Sequence, residues 1–136
     1  MSCNIFCVRH GYDKRIHQKI KLINMKDFMF IFRNSFEAEN QSPEQMQASM
    51  QLWMAWIDKL RAEDRYAGGE PLIPSGKVVK GAQPLVTDGP FAESKEIIGG
   101  YFIVKAATIE EAAEMAKGCP DFAAGASVEV REIMKM

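Results

Sequence analysis

The sequence has little net charge, no histidine after position 17, no long apolar run and no paired-cysteine pattern, and each lack removes a class of function. A formal charge of −1 over 136 residues gives no global field to draw the chain to nucleic acid or to an anionic membrane. Basic patches with interleaved aromatics are missing, so direct nucleic-acid binding is not expected. No apolar run approaches the length of a membrane span and no signal-peptide core is present, so no membrane partner is expected either. Cys3, Cys7 and Cys119 are odd in number and scattered, which argues against a disulfide framework and for a reducing, cytoplasmic setting. Gly99-Gly100 lacks the spacing and the following helix of a phosphate loop. Cys3, Cys7, His10 and His17 match no standard zinc-finger spacing, so neither a metal nor another cofactor is expected. Cys119 has no histidine nearby in sequence to form a nucleophilic pair and reads as a small buried hydrophobe.

What is present is a composition of 47% apolar and 26% charged residues, ordinary for one soluble domain with a single core. The charge is uneven. Residues 1–24 hold Arg9, Lys14, Arg15, Lys19 and Lys21 against Asp13 alone, a net of +4, which leaves −5 for the remainder. A composition shift of this kind marks a tail. Residues 1–24 are therefore read as an extension outside the fold, with Met25 a natural start and residues 25–136 the domain.

Residues 26–34 alternate Phe28, Phe30 and Phe32 with Met29, Ile31 and Arg33. Both faces of this strand are largely apolar, so each should be covered: one by the chain's own helices, the other by a ligand cleft or a second subunit. Ser42-Pro43-Glu44-Gln45 predicts a capping-box helix start. Met46, Met50, Trp53, Ile57 and Leu60 follow as its apolar stripe, and Gly68-Gly69 predicts its end. Leu72 to Val79 and Gln83 to Thr87 read as short strands or a hairpin. Gly100 to Ala106 is a second central strand. Thr108 to Glu111 is a capping box for a second helix with Ile109, Ala112, Ala113 and Ala116 inward. Ser127 to Ile133 is a last strand, with Val128 and Val130 inward and Glu129 and Arg131 outward. The order is that of an α+β, ferredoxin-like β-α-β-β-α-β sandwich.

The motifs Gly69-Glu70-Pro71-Leu72, Thr87 to Lys95 (containing Asp88-Gly89-Pro90-Phe91), Gly99-Gly100-Tyr101-Phe102, Gly118-Cys119-Pro120 and Ser127 to Arg131 resemble the YCII-related superfamily in its DGPF-motif branch. The resemblance runs from about Met25 to the C-terminus. It implies a dimeric α/β-barrel in which the sheets of a homodimer face one another, with a pocket near the interface. Some relatives of this kind are linked to a histidine–aspartate pair and to elimination of halide from muconolactone-type compounds. Others are encoded beside, or fused to, extracytoplasmic-function sigma factors. Asp88 matches the aspartate of the motif, but no histidine follows Met25, which removes the expected partner.

Asp88 then carries two readings: a general base in an apolar cleft, or a turn aspartate bonded to local amides. Trp56, at the stripe's edge, and Phe91 are expected to line a pocket for a flat or apolar ligand, with Trp53, Met46 and Met50 in the core. Arg33 and Arg131 share a sheet face and are expected to bind an anionic group, or Arg33 pairs with a local acid at its strand end. Glu93, Lys95 and Glu96 read as a solvated turn. The whole supports a cytoplasmic homodimer with a small-molecule pocket, the ligand anionic, binding it or performing a proton-transfer or lyase-type step at Asp88. The alternative is a noncatalytic regulatory or interaction module working with a sigma factor.

Overall fold

A computed structural model describes residues 14–16, 19, 24–35, 41–90 and 96–136. The elements run β1 (Lys26–Ser35), α1 (Pro43–Ala62), β2 (Tyr66–Pro71), β3 (Gly76–Lys80), β4 (Leu85–Gly89), β5 (Glu96–Ala106), α2 (Ile109–Ala116), a 3-10 turn (Pro120–Ala124) and β6 (Ser127–Glu132). Strands β2, β5, β1 and β6 form one antiparallel sheet in that order. This is the α+β ferredoxin-like arrangement, with the β3–β4 hairpin inserted between its second and third sheet strands as a sheet of its own.

Alternation on β1 builds the core. Phe28, Phe30 and Phe32 are sealed beneath the helices with Phe102, Val104, Trp56, Leu60, Ala112 and Ala116. Edge-on aromatic contacts tie this layer together, including Phe32 to Trp53 and Phe32 to Phe102, each at 4.9 Å between ring centres. Val128 and Val130 of β6 pack against the same side.

Helix α1 starts as its sequence dictates. The Ser42 hydroxyl accepts from the Gln45 amide at 3.2 Å, and the Gln45 side chain accepts from the Ser42 amide at 3.0 Å. At α2, Thr108 accepts from the Glu111 amide at 3.2 Å. The Glu111 carboxylate, however, does not close the expected box. It accepts from the Ala107 amide at 3.1 Å and pairs with Arg65 at 2.6 Å, tying the loop before β2 to the start of α2. Of the expected inward face of α2, Ala112 and Ala116 are buried, whereas Ile109 and Ala113 are exposed.

Two expectations about α1 need correction. Met46 and Met50 are exposed: the first two turns of the helix bury no side chain, and only Ser49 among residues 43–50 is even half-buried. The stripe that reaches the core is Trp53, Trp56, Ile57 and Leu60. Nor does Gly68-Gly69 end the helix. Residue Ala62 ends it, and both glycines lie inside β2. A Cβ on Gly69 would stand 2.4 Å from a Phe102 ring carbon and 2.4 Å from the Tyr101 carbonyl oxygen, so β2 can lie against β5 only with glycine there.

Candidate functional site

The side of the four-stranded sheet away from the helices carries no cover among the described residues. Register places its side chains in rows. Glu70, Tyr101, Ile31 and Glu129 form one row, and Ile103, Met29 and Arg131 form the next, with Gly68 at its β2 end. Met29, Ile31, Tyr101 and Ile103 are each only half-buried. These apolar groups stand on a face whose rim is charged.

Arg33 sits at the end of this face, opposite Ser127 on β6. Its Nη2 donates to Glu129 Oε2 at 3.1 Å. Arg131 Nε lies 3.9 Å from the other oxygen of the same carboxylate. Glu129 thus spans two arginines, and the trio carries one uncompensated positive charge. The Arg33 side chain is 35% exposed and that of Arg131 is 70% exposed, so both remain reachable from solvent. Sequence alternation put Arg33, Glu129 and Arg131 on one face. What it did not give was Glu129 as the shared acceptor, although its place two residues before Arg131 held that signal.

The other expected site residues are dispersed. Asp88 lies on β4, where register sets it opposite Lys77, and its carboxylate forms an ion pair with the Lys77 ammonium. Its side chain is 88% exposed. No apolar cleft surrounds it among the described residues. Trp56, expected beside a pocket, is instead 7% exposed and stacks 6.4 Å from Phe30. Its indole fits because Gly118 has no side chain: a Cβ there would lie 2.5 Å from Nε1. Trp56 therefore belongs to the sealed side, and Arg33 projects from the opposite side. Trp53 is the more accessible tryptophan, and its Nε1 donates to Asp121 at 3.1 Å. Phe91, Glu93 and Lys95 lie outside the described residues, as do Cys3, Cys7, His10 and His17.

Among the described residues, no three histidine, cysteine, aspartate or glutamate side chains gather as metal ligands, and no helix is long and apolar enough to cross a membrane. Cys119 is buried, and that burial pushes its thiol up from the ordinary range, so it stays protonated and unreactive at neutral pH. Burial also pushes the Tyr66 phenol up, partly offset by the Arg61 guanidinium over its ring.

Residues 28–136 match the YCII-related domain. The chain belongs to this family. No curated protein matches it. The YCII-related match begins inside β1 and takes in every later element, so the open face and the hairpin are both within the family domain.

Proposed function

We propose that this YCII-related chain acts as a homodimer that binds a small anionic molecule on the open sheet face, with Arg33 and Arg131 receiving the negative group. The observation that carries this reading is the shared carboxylate of Glu129, which holds two arginines side by side above Met29, Ile31 and Tyr101. Glu129 accepts a hydrogen bond from Arg33 and draws Arg131 towards the same carboxylate, leaving donors on each. A ligand carboxylate or phosphate can take those donors in the paired geometry that guanidinium favours. The half-buried apolar side chains beside them suit an apolar or aromatic ligand body. A cytoplasmic setting and membership of the DGPF branch are part of the same reading.

A proton-transfer or lyase-type reaction requires Asp88 to reach this face. Within one chain Asp88 is solvated and paired with Lys77, which supports binding over catalysis. The test is calorimetric titration of the chain with benzoate and with inorganic phosphate, repeated on Arg33→Gln. Binding that weakens at least about tenfold in the variant is expected from loss of a charge-assisted pair. Equal binding by both proteins removes Arg33 from the site. Turnover of any substrate that survives Asp88→Asn removes Asp88 from the chemistry.

The second reading, a noncatalytic module associated with an extracytoplasmic-function sigma factor, draws on the exposed face of α1. Met46, Met50 and Met54 recur every fourth residue and are all exposed. Flexible thioethers in a row suit a surface that accepts another protein. Pull-down of a neighbouring sigma factor, lost in Met50→Lys, is the outcome this reading expects. Failure at high concentration sinks it.

A further inference from the structure

The β3–β4 hairpin makes no extensive contact with the main sheet or with either helix. Two-stranded hairpins are marginal in water when nothing packs on them. This one nevertheless exposes an apolar cross-strand pair, Val79 with Val86, beside Leu85. Val79 and Val86 are 59% and 58% exposed. They share a hairpin face with the Lys77–Asp88 ion pair, since register alternates them with it.

The base of the hairpin joins the open sheet face. β2 leaves the main sheet at Pro71, opposite Gly100, and β5 enters it at the same end, where Ile98 lies opposite Arg33. Leu72, Ile73 and Ile98 are exposed there, and the Leu72 amide donates to the Gly99 carbonyl at 2.9 Å. Exposed apolar side chains thus stand both at the base of the hairpin and at Val79 and Val86 near its tip, with the Lys77–Asp88 pair between them.

Area decides what can cover both. Four strands about 4.8 Å apart and six residues of about 3.3 Å span roughly 19 by 20 Å, or about 400 Å² in plan. A stable interface takes about 800 Å² from each partner. The sheet face alone falls short. The hairpin's two five-residue strands add about 150 Å² in plan on the face that carries Val79 and Val86, which brings the total to about 550 Å² in plan, nearer to that requirement than the sheet alone. A second copy fits both surfaces at once, because a two-fold axis lets each chain's hairpin cover the other's exposed rim reciprocally.

We propose that the β3–β4 hairpin is an arm that grips a second copy of the chain and carries Lys77 and Asp88 to the rim of that copy's open face. The inference rests on the homodimer reading above and adds the element that completes it. Charge agrees with the placement. The arm delivers the Lys77–Asp88 ion pair as a neutral unit, so the one excess positive charge of the Arg33, Glu129 and Arg131 trio stays available to an anion. The anion site then contains groups from both chains, which explains how an aspartate solvated in one chain can stand beside a ligand.

The experiment is sedimentation equilibrium of the full chain and of Val79→Ser/Val86→Ser, with far-UV circular dichroism to check that the main fold persists. The expected result is a wild-type dimer and a variant whose dissociation constant rises at least about 100-fold, since four valines per dimer lose their burial. A wild-type chain that stays monomeric overturns the homodimer reading and the arm with it. A dimer whose constant is unchanged in the variant overturns the arm alone. Hydrogen exchange on the wild type gives the second readout. Hairpin amides should be protected in the dimer and lose protection on dilution below the dissociation constant. Protection that is the same at every concentration overturns the arm.

Discussion

The two faces of β1 differ in one respect that organises the molecule. Phe28, Phe30 and Phe32 meet helices of their own chain and are sealed, whereas Met29, Ile31 and Arg33 lie on the side that no helix of the described residues covers and stay half-open. Neither face is polar enough to be an ordinary solvent face, yet only one is filled. The sealed side needs volume, and aromatic rings supply it. The open side combines flexible or branched aliphatics with paired charges, which is the composition of a surface that meets something else.

That contrast can be broken first where it is strongest. Phe30→Ala should cost about 3–5 kcal/mol in urea denaturation, because a fully sealed ring leaves a cavity. Ile31→Ala, one residue along, should cost the isolated chain well under half as much. Equal costs would mean that both faces are core. Gly118→Ala sharpens the account of the sealed side. The added methyl meets the Trp56 indole, so a loss of about 1–3 kcal/mol is expected. No loss would show that Trp56 has room to move.

Glu111→Ala should cost about 1–3 kcal/mol, because it strands the Ala107 amide and takes the only carboxylate partner among the described residues from the mostly buried Arg65 guanidinium, which keeps its bond to the Lys105 carbonyl. High pH gives a smaller effect with a definite sign. Burial raises both the Cys119 thiol and the Tyr66 phenol in the folded chain. The folded state then holds these protons where the unfolded chain has begun to lose them, so stability is full at neutral pH. It should decline as pH rises through the thiol range and then the phenol range. Urea midpoints at pH 7 and pH 10 check this, with Cys119→Ala reducing the difference. Smallest of all, Asp88→Asn should change stability by less than about 0.5 kcal/mol, since its ion pair is solvated on the hairpin.

Much of the sealed side was legible in the sequence. Alternation in β1 and in Ser127 to Arg131 assigned faces correctly, because strands repeat every two residues and burial enforces the register. The Ser42 to Gln45 box was legible because its chemistry is local. Strand β2 was not, because Gly68 and Gly69 carry no side chains to show a period and resemble a helix stop. Their reason lies in Phe102, far along the chain. The phase of α1 was misread for a similar reason. A stripe drawn through Met46 and Met50 takes no account of which turns of the helix bury side chains, and Trp56 depends on the space left by Gly118. At the site, the shared face of Arg33 and Arg131 was readable from alternation. The solvated place of Asp88 followed from the hairpin's separation from the main sheet, which no local pattern encodes.

The central claim is that the open face of β1 is an interface and the sealed face is not. Sedimentation equilibrium of the wild type and of Ile31→Glu tests it most directly. The account predicts a wild-type dimer, and a variant that is monomeric with an unchanged far-UV spectrum, because a buried unpaired carboxylate at the centre of the face opposes association. A monomeric wild type, or a variant that dimerises as tightly as the wild type, would contradict it.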